Sequence, residues 1–236
     1  MKRPPAVGSL TYCSFERIIQ QMSSTDSRLL DVAIEHFGRR GLEGASTRAI
    51  AADADTPMSS ITYHFSGKNG LYLAAAEHIS ASLGERLRPA IEQVAVICAD
   101  GIDVAAARAS LHAIFGRMVE VMVSEDTAAF ARFIVREQAE PTEAFDRIYA
   151  GAMGQILARV AAMLRVIAGN ALDEIEARIR AMTLVGQILV FRVARATVLA
   201  ETGWNNMAAP ETAIIKATVL DNLDAIFDRL ERRSSL

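Results

Sequence analysis

Residues Ser46–Leu71 read STRAIAADADTPMSSITYHFSGKNGL, and the punctuation of this stretch decides the fold. Thr47 to Ala52 are helix-forming residues, with Ile50 as the apolar anchor. Asp53-Ala54-Asp55-Thr56-Pro57 then breaks the pattern. Proline has a fixed φ and is tolerated at the first helical position, so Thr56 as N-cap and Pro57 as N1 restart a helix. This second helix runs from Met58 to about His64 and presents Ser59, Ser60 and Thr62 outward. Two helices across a tight turn, the second carrying small polar side chains, are the pattern of a DNA-reading helix-turn-helix. Nothing bulky on the outer face of the second helix keeps it from a major groove.

Outward from this stretch the chain reads as all-α. Half of its 236 residues are apolar and 22% are charged, which supports a packed core and argues against bulk disorder. Aromatic residues are few, and Ala, Leu, Ile, Val and Met favour helix over sheet. No alternating β-branched run is bounded by turn residues. Helix 1 begins near Ser24–Asp26 and runs to about Arg40, burying Leu30, Ala33, Ile34 and Phe37, with Gly41 and Gly44 ending it. Helix 4 follows Ser66-Gly67 and continues to about Arg88, where Pro89 kinks or interrupts it. Further helices are expected near 102–124, 125–139, 141–168, 171–202 and 210–233. Their punctuation is Pro141 at a start, Gly169-Asn170 at an end, and Gly203 and Pro210 around a loop. The expected domains are a flexible tail (1–23), a three-helix helix-turn-helix domain (24–72) and a larger C-terminal helical domain (73–236).

Several function classes are disfavoured. Cys13 and Cys98 lie far apart without metal-ligand spacing, as incidental thiols of a reducing cytoplasm do. The histidines His36, His64, His78 and His112 are dispersed, so His112 with Glu120 or Glu137 makes no compact ligand set. No catalytic residue, metal or cofactor is expected, and an all-α enzyme is the weaker alternative. No apolar run approaches the length that spans a bilayer, so no membrane partner is expected. The first residues, MKRPP, lack an apolar segment after their basic start. They read as a solvated tail carrying Lys2, Arg3 and Arg17, or as an upstream extension with translation starting at Met22. The net charge of −3 divides unevenly: residues 1–90 carry ten basic against nine acidic side chains, and the rest fifteen against nineteen. A DNA domain needs a basic face rather than a basic total, so this balance permits DNA binding without arguing for it.

The tract Thr47-x-x-Ile50-Ala51, then Ile61-Thr62-Tyr63-His64-Phe65-Ser66-Gly67-Lys68 and Leu71, resembles the N-terminal domain of TetR-family transcriptional repressors. The resemblance covers roughly residues 26–73. Asp55-Thr56 stand where that pattern usually has Gly-Val, and Asp tolerates the left-handed backbone better than most residues. Arg132-Phe133-Ile134-Val135-Arg136-Glu137-Gln138 with Pro141, and Gly186-Gln187-Ile188-Leu189-Val190-Phe191-Arg192, resemble the C-terminal domain of the CecR-like branch. The resemblance implies that Thr47, Tyr63, His64 and Lys68 touch the phosphate backbone of a double-stranded, palindromic operator. Lys68 at a helix N-terminus adds a charge of the right sign to amides that already attract an anion. Base reading falls to Ser59, Ser60 and Thr62, with Met58 and Arg48 at the edges. Arg48 is suited equally to a guanine and to a phosphate. A helical partner-binding protein without DNA function is the other alternative, and it has no need of Lys68 beside Tyr63-His64-Phe65.

The resemblance also implies a cytoplasmic homodimer that senses a small-molecule effector of unknown identity in its C-terminal domain. Phe115, Met118, Met122, Phe130, Phe133, Met153 and Phe191 are adaptable wall material for an apolar pocket, or else ordinary core. Arg136, Glu137 and Gln187 interrupt apolar faces, and a buried charge must be paired. Arg136 or Glu137 therefore orients a ligand or pairs with another helix, the second being favoured. The last two long helices are expected to form a four-helix seam with their mates, around Val185, Leu189, Leu220, Leu223 and Phe227.

Overall fold

The computed structural model describes residues 24–97, 102–169 and 171–234. The expectations for the tail 1–23, for both cysteines and for Asn170 lie outside them. Among the described residues the chain is helical and contains no strand.

Helix α1 (Ser24–Gly44) buries Leu29, Leu30, Ala33, Ile34 and Phe37, and its backbone breaks at Gly41 (φ 70°, ψ 177°), where a stop was expected. Helix α2 (Thr47–Asp53) is capped by the Ser46 hydroxyl, which accepts from the Ala49 amide at 3.4 Å. Helix α3 spans Met58–Phe65. The expected cap is one residue out of place. Pro57, with φ −60° and ψ 140°, is the N-cap of α3 rather than its first helical residue, and no side chain caps the helix there. Proline fixes only φ; its extended ψ delays the helix by one position.

Helix α4 (Lys68–Ile97) passes through Pro89 without ending. One turn before the proline, Arg117 Nε donates to the Arg86 carbonyl at 2.6 Å. Helix α5 (Val104–Val123) is capped by Asp103, which accepts from the Ala106 amide at 2.7 Å. A 3₁₀ turn (Glu125–Thr127) leads into α6 (Ala128–Ala139).

Two expected long helices are broken. The stretch expected as 141–168 is α7 (Glu143–Ile148), a π turn (Tyr149–Met153) and α8 (Gly154–Ile167). Gly151 leaves helical geometry there (φ −82°, ψ −133°), and the Ala152 amide is taken up by the hydroxyl of buried Ser80 at 3.1 Å. By length and composition Glu143–Ile167 does match a membrane-spanning helix, contrary to the sequence expectation. Ala144, Ile148, Val160, Leu164 and Ile167 are nevertheless buried among neighbouring helices, as in the core of a globular protein. The stretch expected as 171–202 is α9 (Glu174–Val193) and α10 (Arg195–Thr202), bent by 78°. At that bend Arg192 donates to the Met122 carbonyl at 2.6 Å and to the Ser124 carbonyl, closing the C-terminus of α5. Burial holds this guanidinium below the usual arginine range. Helix α11 spans Ala209–Ser234.

The core is continuous through both halves of the molecule. Tyr72 of α4 packs edge-on to Phe37 of α1 (4.8 Å) and stacks on Phe133 of α6 (4.7 Å), so one aromatic cluster joins the N-terminal helices to the C-terminal ones.

Candidate nucleic-acid interface

Helices α2 and α3 are held at their angle by a short turn that the local sequence can make. Asp55 adopts the left-handed conformation (φ 53°), as expected of an Asp in a position that favours glycine. The Asp55 amide donates to Ala52 O and the Thr56 amide to Ala51 O, while Ala54 is buried beneath the turn. Ile61 anchors α3 in the core. The opposite face is open: Ser59, Thr62 and His64 are exposed, Ser60 is half-exposed, Met58 is 51% exposed and Tyr63 is 85% exposed. An exposed tyrosine of that degree contributes nothing to the core. Phe65 does pack against the core.

The far end of α3 is closed by Ser66 in the left-handed region (φ 58°), whose amide donates to Thr62 O at 3.1 Å. The first turn of α4 then passes very close to it. A Cβ on Gly70 would lie 1.7 Å from the Phe65 carbonyl oxygen, so no side chain fits there. This close approach sets the angle between α3 and α4, and no local pattern of residues singles out Gly70 for it.

Lys68 lies at the N-terminus of α4, as expected, and donates one hydrogen bond to the Glu43 carbonyl at 2.9 Å. The ammonium has two further donors and stands where the helix dipole favours an anion. Thr47 opens α2 and is half-exposed, and Arg48 beside it is exposed. His64 Nδ1 lies 4.0 Å from Asp26 of α1. His36 bonds Asp53 at 2.7 Å and His78 bonds Asp31 at 3.2 Å, so these two histidines tie α1 to α2 and α4. The nine residues expected at the interface thus fall on the α2–α3–α4 head, with Met58, Ser59, Thr62 and Tyr63 on the open side of α3.

The C-terminal expectations fare differently. Phe115, Met118, Phe130 and Phe133 are buried core residues, and Met122, Met153 and Phe191 are half-buried against that core. None of these, nor Arg136, Glu137 or Gln187, lines either of two depressions in this domain. One is a narrow cleft between α4, α5 and α8, walled by Leu87, Ile91, Val94, Ile114 and Ile156 with Arg159 beside it. The other is an open groove between Val123 and Ser124 at the end of α5 and Met207, Thr212 and Lys216 around the start of α11. Met and Phe at helical spacing fill space here, as in any helical core. Gln187 accepts from Asn222 at 3.2 Å, linking α9 to α11. Glu137 takes the pairing role weighed for it: Tyr72 donates to it at 2.5 Å.

Of the residues expected in a dimer seam, Leu223 and Phe227 point into the protomer. Phe227 lies under the Arg108 guanidinium (5.5 Å), which itself bonds Asp224, Asp228 and Glu231. Helix α11 buries Ile215, Val219, Leu223 and Phe227, a four-residue spacing that keeps one face inward. Leu220 and Val185 are half-buried, and Leu189 is exposed. The open apolar surface is instead a stripe along α9: Ile175 (71% exposed), Ile179, Met182 (64% exposed), Leu189, Val190 and Val193. Gly186 lies in the middle of that run, with open space above it. Ile214 of α11 is exposed as well. The spacing of these residues was legible in the sequence, but not which side of α9 the core would cover.

A short turn, an open reading helix and an attached helical domain define a helix-turn-helix regulator. The profile described as "Bacterial regulatory proteins, tetR family" matches residues 29–75. The profile of the "HTH-type transcriptional dual regulator CecR, C-terminal domain" matches residues 107–229. The HTH-type transcriptional dual regulator CecR of Shigella flexneri is 31% identical over 208 residues, spanning 88% of this chain and 93% of that relative. Among solved structures, SCO4454, a TetR-family transcriptional regulator from Streptomyces coelicolor, aligns with a TM-score of 0.58 at 18% identity, over 88% of this chain and 96% of that one. FadR from Bacillus subtilis, solved in complex with stearoyl-CoA, aligns with a TM-score of 0.57 at 14% identity, over 82% and 95% of the two chains. The chain belongs to the TetR family of DNA-binding transcriptional regulators, with a C-terminal domain of the CecR type.

Proposed function

We propose that the protein is a cytoplasmic, homodimeric repressor that binds a palindromic DNA operator and leaves it when a small-molecule effector occupies the C-terminal domain. Residues 24–72 act as the reading head and residues 73–236 as the sensing and pairing domain. The observation that carries this reading is the open face of α3, where Ser59, Thr62 and Met58 stand outward over a buried Ile61. These short groups suit base edges and thymine methyls, while Thr47, Tyr63, His64 and Lys68 flank them with donors for phosphates. Arg48 and Ser60 complete the surface.

The exposed apolar stripe on α9, with Ile214 beside it, supports pairing of two copies through α9 and α11. Pairing would set two reading helices roughly 34–36 Å apart, one turn of DNA. The cleft between α4, α5 and α8 is too narrow for more than a water as it stands, so an effector entering there would have to open it, and α4 continues from it to the reading head. Selection of duplexes from a random pool by the purified protein tests the DNA reading. Enrichment of a palindrome with half-sites one helical turn apart is the expected result. Binding to all duplexes alike, or to none, would sink it and favour a helical partner-binding protein.

A further inference from the structure

Glu137 is 1% exposed, yet it is a carboxylate. A buried charge persists only where hydrogen bonds replace its water. Four donors do so here, and they divide by oxygen. Oε2 accepts from the Thr142 amide (3.0 Å), the Thr142 hydroxyl (2.9 Å) and the Phe145 amide (3.0 Å), all at the start of α7. That helix N-terminus also favours an anion through its dipole. Oε1 accepts from the Tyr72 hydroxyl on α4 at 2.5 Å. Burial, and then the carboxylate itself, push the Tyr72 phenol well above its ordinary range, so it stays protonated and donates.

The neighbouring residue packs against the other helix of the head. The Arg136 guanidinium lies against Gly41, where a Cβ would come within 3.0 Å of Nη1, and its Nε is buried without a partner. Gly41 has φ 70°, so neither the backbone there nor the space above it suits another residue. Two consecutive residues of α6 therefore meet α4 and α1, Glu137 through a hydrogen bond and Arg136 through close packing. Arg132 to Glu35 and Arg147 to Glu77 also join these helices to the C-terminal ones, but as exposed ion pairs. The bonds of Ser80 to Ala152 and of Arg117 to Arg86 lie further along α4 from the head. Exposed ion pairs contribute little, whereas a buried charge-assisted bond is strongly directional.

We propose that Tyr72 and Glu137 are positioning residues: their bond sets the angle of the reading head on the C-terminal domain and makes the α6–α7 corner a second route, beside α4, by which that domain acts on DNA. The inference rests on the dimeric DNA-binding reading above. A rotation of α7 relative to α6 would draw Thr142 and Phe145 away from Oε2, shift the carboxylate and release the Tyr72 hydroxyl. The head would then turn about the Phe37–Tyr72–Phe133 cluster, whose ring-to-ring contacts include no hydrogen bond of their own.

The test uses the duplex that the wild-type protein enriches from a random pool, with versions in which one base pair is added or removed between half-sites. Tyr72→Phe removes one oxygen and leaves the ring stacked. Glu137→Leu approaches the same bond from the other side and fills the volume. Glu137→Gln is the conservative variant, since its amide can still accept from Thr142 and donate to the Tyr72 oxygen. Tyr72→Phe and Glu137→Leu are expected to lose the preference for native spacing by roughly fivefold or more, with binding to a random duplex unchanged. Glu137→Gln should keep most of that preference. A folded Tyr72→Phe or Glu137→Leu protein that keeps wild-type spacing preference, even with lowered thermal stability, would overturn the inference, because a merely structural role moves stability alone. If the wild-type protein enriches no duplex, the DNA reading itself fails instead.

Discussion

Lys68 is well placed on the head to meet an anion, at the N-terminus of α4. One of its donors is occupied by the Glu43 carbonyl, which fixes the ammonium in place at the start of α4. Lys68→Ala should weaken binding to every duplex alike and reduce the slope of log affinity against log salt by about one ion. A salt titration with an unchanged slope would remove Lys68 from contact with the backbone. Thr62 would make a different kind of contact, because a hydroxyl and a methyl can read a base but cannot neutralise a phosphate. Thr62→Ala should cost about 1 kcal/mol on the selected duplex and little on a random one; equal losses on both would count against base reading. Gly70 acts through geometry alone. With its Cβ position 1.7 Å from the Phe65 carbonyl oxygen, Gly70→Ala must push α4 away from α3. Loss of specific binding and a lowered melting temperature are expected, and a variant that binds with wild-type affinity would show that the two helices can separate freely.

Helices α9 and α11 illustrate how an element's two faces part company. Both have apolar residues at helical spacing on more than one side, so composition alone does not say which side is core. In α9, Ala177, Ala181, Leu184 and Ile188 turn inward and leave Ile175, Ile179, Met182, Leu189, Val190 and Val193 outside. In α11 the inward set includes Leu223 and Phe227. The two sets should respond to mutation in opposite ways. Ile179→Glu with Met182→Glu should yield a folded monomer in sedimentation with weakened affinity for the palindrome, because charges on that stripe oppose its burial. Phe227→Ala should cost about 3–5 kcal/mol in denaturant unfolding while the oligomeric state at low temperature stays unchanged. The reverse pattern would put the interface on the Leu223–Phe227 face of α11.

At the scale of the whole molecule, α4 connects the reading head, the Tyr72–Glu137 bond and the cleft near Pro89 along one continuous helix. Any coupling between DNA and an effector must be reciprocal. An effector that lowers operator affinity by some factor binds the DNA-bound protein more weakly by that same factor, typically 5–150-fold. Calorimetry of a compound that displaces the duplex, run with and without DNA present, checks this; equal affinities in both would rule out release by that compound. Much of this organisation was legible in the residues themselves. Helix starts and stops, the left-handed Asp55 and the outward Ser59 and Thr62 all follow from local preferences: φ limits, capping and the helical period act within a few residues. The breaks at Gly151 and Ala194 were not legible, since a helical pattern of apolar residues runs through both, and the break at Gly151 leaves an Ala152 amide satisfied only by Ser80, seventy-two positions away. Glu137 was recognisable as a charge in need of a partner, but its partner Tyr72 is sixty-five residues distant. Local chemistry therefore determined the helices and the reading surface. Tertiary packing alone decided which faces were covered, where long helices bent and which residue answered the buried carboxylate, because burial depends on what the rest of the chain places alongside.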